Sequence, residues 1–297
     1  MEELVFQRSV LPLADDGSVY HLRLLPGELA DTIFFVGDAD RVPMVSACFD
    51  RVELTRQHRE FTTHTGWLND RRVSVVSTGI GSSGVEIALN EIDALHNIDL
   101  VERKAKPNPV SLNFIRIGTC GALDESLLPG SRVVSHAAVG FDGSMSHYDV
   151  PLSERAQQLQ SVVMQAFYDY PQKASAYAAV SSPRLQQALS SLGQSGITLT
   201  CPGFYAAQHR RLRLPIAPRD VLALGQGMEF EGHRVVNFEM ETAMLLGLGA
   251  ALGHHCASVS LVVYNRVTEQ GLENATQAMS ELIDQVLSCA VFDEAAC

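Results

Sequence analysis

Short runs of β-branched and aromatic residues recur along this chain, separated by stretches with apolar residues at helical spacing. Residues 32–36 (TIFFV), 73–77 (VSVVS), 114–117 (FIRI), 132–135 (RVVS) and 258–264 (SVSLVVY) read as strands bounded by Gly, Asp or Asn. Residues 84–96, 240–252 and 273–292 carry the helical period. Alternation of the two periods predicts an α/β fold, a mixed sheet with helices on both sides. The stretch 99–113 (DLVERKAKPNPVSLN) reads as a loop too short for a domain linker. Residues 1–297 are therefore expected to form one domain, with 1–20 as an N-terminal extension.

Composition excludes several classes. A chain that is 46% hydrophobic and 19% charged can bury a large core. Its net charge of -12 argues against a nucleic-acid partner. No run is long and apolar enough to span a bilayer, and the start lacks a signal-peptide pattern, so the cytoplasm is expected. The six cysteines are scattered without a CxxC pair. Only Cys256 has histidines beside it, and no zinc site or disulfide framework is expected.

Three glycine-rich stretches follow strands, where α/β folds place ligands: 37–41 (GDADR), 78–84 (TGIGSSG) and 116–121 (RIGTCG). Such turns expose backbone N–H groups to an anion, and arginine matches phosphate oxygens in pairs. GDADR alone reads as a tight turn with a surface arginine. RIGTCG is evenly poised, because Arg116 interrupts an apolar strand. The 79–84 stretch matches GxGxxG but lacks the acidic residue a dinucleotide site requires. In FEME (238–241), Glu239 and Glu241 point the same way if the chain is extended, and could accept from a ribose diol. Alone, the pair reads as the first turn of a helix. In FYAAQHR (204–210), Phe204 can stack on a flat base while Gln208 and Arg210 address its edge; alone it is a polar loop.

Taken together and in order, these pieces resemble the uridine phosphorylases of the nucleoside phosphorylase-I family. The resemblance runs from about His21 to Arg266. It rests on HREFTTHTG (58–66), STGIG (77–81), RIGTCGAL (116–123), FYAAQHR, NFEMET (237–242) and YNR (264–266). It implies a partly barrel-like mixed sheet and a pentosyltransferase of pyrimidine salvage. Uridine and inorganic phosphate would give uracil and ribose 1-phosphate without cofactor or metal. It also implies a homo-oligomer with active sites shared between subunits.

By the same resemblance, Gly37, Arg41, Arg116 and Thr119 hold phosphate, and Arg59 reaches a partner's phosphate site. Met240 and Glu241 contact ribose with Glu239 in support, and His21 comes from a neighbour to the 5′-hydroxyl. Phe204, Gln208 and Arg210 take the base, so Arg210, Gln208 and Arg116 are the expected catalytic group. Asn265 stands where purine phosphorylases of the family carry Asp, which with Gln208 and Arg210 favours a pyrimidine. Ala207 replaces a common Gly and is expected to tighten the base pocket, with Cys201 nearby. Gly84 replaces the serine of a potassium site formed with a glutamate at Glu60, so no ion is expected. A phosphorylase of other nucleoside preference, a water-using nucleosidase and an inert nucleoside-binding paralogue stay open.

Overall fold

The computed structural model describes residues 5–170 and 173–290. The end of the expected last helix at Phe292, Cys297 and the first four residues lie outside them. Strand β1 (Thr32–Val36) is buried from Ile33 onward. Ile33 and Phe35 enter one apolar cluster, Phe34 and Val36 another, as the two-residue period of a strand requires. A strand covered on both faces needs no polar side, hence the unbroken apolar run.

The chain continues through α1 (Arg41–Ser46), β2 (Arg51–His58), β3 (Phe61–Leu68), β4 (Arg71–Ser77) and α2 (Ser82–Asn97). The short strands β5 (Ile98–Asp99) and β6 (Lys104–Ala105) pair with each other across the expected loop. Then come β7 (Asn113–Ala122), β8 (Arg132–Gly140), α3 (Glu154–Ala166), β9 (Tyr177–Val180), α4 (Pro183–Leu189) and β10 (Gln194–Thr200). The last part holds α5 (Val221–Gly225), β11 (Glu229–Phe230), β12 (His233–Glu239), α6 (Thr242–Ala251), β13 (His255–Asn265), β14 (Gln270–Gly271) and α7 (Ala275–Ala290).

The main sheet runs β11-β12-β10-β8-β13-β7-β1-β4-β3-β2, with parallel and antiparallel pairs. An extra antiparallel pairing of β12 with β7 joins Phe238 to Gly121 and closes five of these strands into a barrel. A Cβ on Gly121 would lie 2.4 Å from the Phe238 ring, so the seam closes only because residue 121 has no side chain. Helices α2 and α6 cover one face, and α1, α4 and α7 the other.

Two boundaries differ from expectation for local reasons. Helix α6 begins at Thr242, not Met240, because β12 runs to Glu239 and the next two residues form the turn into the helix. Strands β2 and β3 carry no clear sequence signal, since β2 is an edge strand with a largely solvent-facing, charged sequence (RVELTRQH).

Candidate active site

A cavity of about 1010 Å³ opens where the ends of β1, β4, β7, β12 and β13 meet the 204–210 loop. Its walls bring together Gly37, Arg41, Arg116 and Thr119, then Glu239, Met240 and Glu241 from the turn into α6, and Phe204, Gln208 and Arg210 from the loop. The structure thus gathers residues spread over most of the chain into one space.

Arg116 is 4% exposed, on a strand whose flanking positions are apolar. Its Nη2 meets Glu239 at 3.3 Å and pairs with Glu241, and its Nη1 donates to the Ser260 hydroxyl at 3.3 Å. Burial opposes its charge, but the two carboxylates prevail and hold the guanidinium above its ordinary value. Arg41 sits at the start of α1 and donates to the Ile117 carbonyl at 3.3 Å. Burial first, then the Arg116 charge, pull it below the ordinary range, and Asp38 and Glu241 do not make up the difference. Arginine stays protonated all the same. Arg41, an under-compensated cation beside a second guanidinium and glycine backbone, makes a place for an anion.

The two carboxylates converge by a different route from the extended chain expected of FEME. Oε2 of Glu239 accepts the backbone N–H groups of Glu241 and Thr242, each at 2.9 Å, and so caps α6. The pair thus stands at the entry to α6 and not in its first turn, with both residues on the cavity wall. Glu241, 5% exposed, accepts the Gly81 N–H at 2.6 Å. Burial and the Glu239 charge raise its carboxyl above the usual range even though Arg116 opposes them. Arg116 and Glu241 both move up because one cation serves two carboxylates.

In the 204–210 loop Arg210 stacks 4.0 Å over the Phe204 ring and donates to the Phe204 carbonyl at 2.7 Å. It also donates to Oε1 of Gln208, which leaves the Gln208 Nε2 donors to the cavity. Burial, followed by the Arg266 charge, lowers Arg210. Donors set against an under-compensated cation suit carbonyl oxygens that gain negative charge.

With this geometry, the sequence profile of the phosphorylase superfamily matches residues 31–290. The chain belongs to the phosphorylase superfamily. It is 28% identical over 279 residues to a uridine phosphorylase of Thermococcus kodakarensis, covering 92% of this chain and 88% of that one. With a uridine phosphorylase of Escherichia coli it shares 29% over 260 residues, 86% and 89% of the two chains. A solved Trypanosoma brucei nucleoside phosphorylase, described as showing uridine phosphorylase activity, superposes with a TM-score of 0.85 at 28% identity. That match covers 95% of this chain and 99% of the other. A Toxoplasma gondii purine nucleoside phosphorylase, at 21% identity and a TM-score of 0.66, shares the fold.

His21 and Arg59 of this phosphorylase are not on the cavity wall of their own chain. They lie together elsewhere: Arg59, at a φ of 55°, sits 5.8 Å from the Tyr20 ring, which touches His21 edge-on at 5.0 Å. His58 Nδ1 donates to the His21 carbonyl at 2.8 Å, and Glu91 holds the His21 ring at 2.7 Å.

Three residues singled out in the sequence lie off the cavity wall. Cys201 is 1% exposed and packs in the apolar cluster behind the wall; the thiol on the wall is Cys120, pushed up to about 12 by burial. Ala207 packs on the same cluster and does not line the cavity. Asn265 is fully buried and turned away. It donates to the Asp124 and Leu127 carbonyls, both at 2.8 Å, and accepts from Val267 and Thr268.

Sequence reasoning missed Cys120, Phe238, Tyr264, Arg266 and Glu269 as wall residues. Arg266 and Tyr264 lie in YNR and Phe238 in NFEMET, so those motifs were the available signal. Arg266 donates to the carbonyls of Gln208 and His209, the latter at 3.2 Å, and so pins the 204–210 loop.

Proposed function

We propose that this chain is a uridine phosphorylase, converting uridine and inorganic phosphate reversibly to uracil and ribose 1-phosphate in pyrimidine salvage. The observation that carries the reading is that one cavity wall gathers two arginines, two carboxylates and a glutamine–arginine pair. The curated relatives and the Trypanosoma structure support uridine as the substrate.

In this reading Gly37, Arg41, Arg116 and Thr119 hold phosphate, and a neighbour's Arg59 completes the site. Glu241 accepts from the 2′- and 3′-hydroxyls beside Met240, and Glu239 fixes the turn. A neighbour's His21 meets the 5′-hydroxyl. As the bond from C1′ to N1 lengthens, its electron pair leaves with uracil and the sugar becomes cationic. Phosphate on the opposite face stabilises that charge and then bonds to C1′, so no covalent enzyme intermediate is required. Arg210 and Gln208 bond the uracil oxygens more strongly as their charge grows.

The reading calls for a homo-oligomer in the cytoplasm and for no cofactor beyond phosphate as co-substrate. Among the described residues, no helix is long and apolar enough to cross a membrane. The test is uridine cleavage with and without phosphate, with uracil and ribose 1-phosphate separated by chromatography. Phosphate-dependent appearance of both is expected. Cleavage without phosphate would make the chain a hydrolase, and binding without cleavage an inert paralogue.

A further inference from the structure

Thr200 ends β10 behind the cavity wall, with 0% exposure. Its Oγ1 accepts the backbone N–H of Ala243 at 2.9 Å and lies 2.6 Å from Oε1 of Glu239. A hydroxyl has one proton, and among the described residues the neighbour that accepts it is the carboxylate. Oε2 of Glu239 meanwhile faces two backbone N–H groups and Arg116. Every group bonded to the Glu239 side chain is thus a donor. Glu241 differs. Each of its oxygens has one protein donor, Gly81 N–H or Arg116, so lone pairs remain for a ligand.

We propose that Thr200 is a positioning residue of the reaction: its hydroxyl fixes the Glu239 carboxylate, and through it aims Glu241 and Arg116 into the cavity. The proposal rests on the phosphorylase reading of that cavity. The linkage is mechanical. Oε2 of Glu239 binds the backbone of Glu241 itself, and the same oxygen draws Arg116. Without the Thr200 proton, Oε1 is a buried acceptor with no partner, which the carboxyl relieves by rotating or by taking up a proton. Either response moves the ribose acceptor and the phosphate cation together.

The titratable groups around Glu239 are Arg116 and Cys120 from β7, Tyr177 from β9, Cys201 from β10, and Glu241 past the turn. Burial keeps the two thiols and the phenol neutral and raises the Glu241 carboxyl, so the acid limb of activity reports on the Glu241 that Glu239 positions.

The experiment compares Thr200→Val, which keeps the shape and removes the hydroxyl, with Thr200→Ser, which restores it. Steady-state phosphate-dependent uridine cleavage is followed across pH, with thermal unfolding as a check on folding. Thr200→Val is expected to lower kcat/KM for uridine roughly ten- to a hundredfold and to shift the acid limb of its pH profile upward. Thr200→Ser is expected to restore both. Should the valine variant not be recovered folded, Thr200→Ala is read in the same way. A folded Thr200→Val or Thr200→Ala enzyme with wild-type KM and an unmoved acid limb overturns the proposal. So does equal loss in the valine and serine variants with no shift of that limb. An unsubstituted chain that does not cleave uridine with phosphate overturns the reading of the cavity, and this proposal with it.

Discussion

A methyl group on Gly118 would lie 1.8 Å from Nη1 of Arg116, so the guanidinium rests on the backbone where a side chain would otherwise stand. Gly118→Ala must push Arg116 out of reach of two buried carboxylates. Breaking a buried ion pair on one side costs about 3–5 kcal/mol. The expected result is a lower thermal midpoint together with a raised KM for phosphate, measured on the same preparation; a normal phosphate KM would detach Arg116 from the anion. Arg210 is a separate case, being half-buried and bonded only within its own loop. Arg210→Ala is expected to lose roughly 10²–10³ in kcat while the thermal midpoint stays near that of the parent. Normal turnover in that variant would remove the leaving-group role.

Among the elements, the loop from Asn265 to Gln270 combines a wet face and a dry anchor. Tyr264, Arg266 and Glu269 face the cavity while the Asn265 side chain makes four hydrogen bonds beneath them. Asn265→Ala is expected to cost about 2–4 kcal/mol, from several bonds of about 1 kcal/mol each. Because the same loop carries Arg266, which pins Gln208, the variant should also raise the KM for uridine. Kinetics and denaturant unfolding check the two effects, and destabilisation with an unchanged KM would separate the anchor from the base loop.

The same contrast explains what could be read in the chain. Strand β1 was legible because burial on both faces leaves an unbroken apolar run. Strand β2 was not, because an edge strand in water carries the charges of a loop. The glycines and arginines of GDADR and RIGTCG suggested an anion site only once the order of motifs joined them, since GDADR alone reads as a turn. Cys120 and Phe238 lay inside such motifs without standing out, and Glu269 lay outside them. They are ordinary residues that topology alone brings to the wall.

For the whole molecule, stability at mild acidity follows from its histidines. His64, His136 and His255 all lie below their ordinary 6.5, each chiefly through burial. In that window the unfolded chain binds more protons than the folded one, so folding free energy declines as pH falls through about 6.5. Glu231, held down to about 2 by Arg155 despite some burial, adds a further loss as pH falls below about 4.5. Glu241 works the other way, because its raised carboxyl favours the folded form as pH falls. With three histidines against one carboxyl, calorimetry is expected to show a thermal midpoint that drops between about pH 7.5 and about pH 5.5. A flat or rising midpoint would mean that the histidines relax when protonated.

The β7–β12 seam has a consequence in time. It joins Phe238 to Gly121, about 117 positions apart in the chain, and such distant pairings form slowly because loop closure must come first. Arg116 lies on one of these strands and Glu239 on the other. A refolding chain can therefore regain most of its helix and sheet while the ion pair at the heart of the cavity is still missing. Recovered uridine cleavage should lag behind recovered circular dichroism, and the length of that lag measures how long the barrel takes to shut.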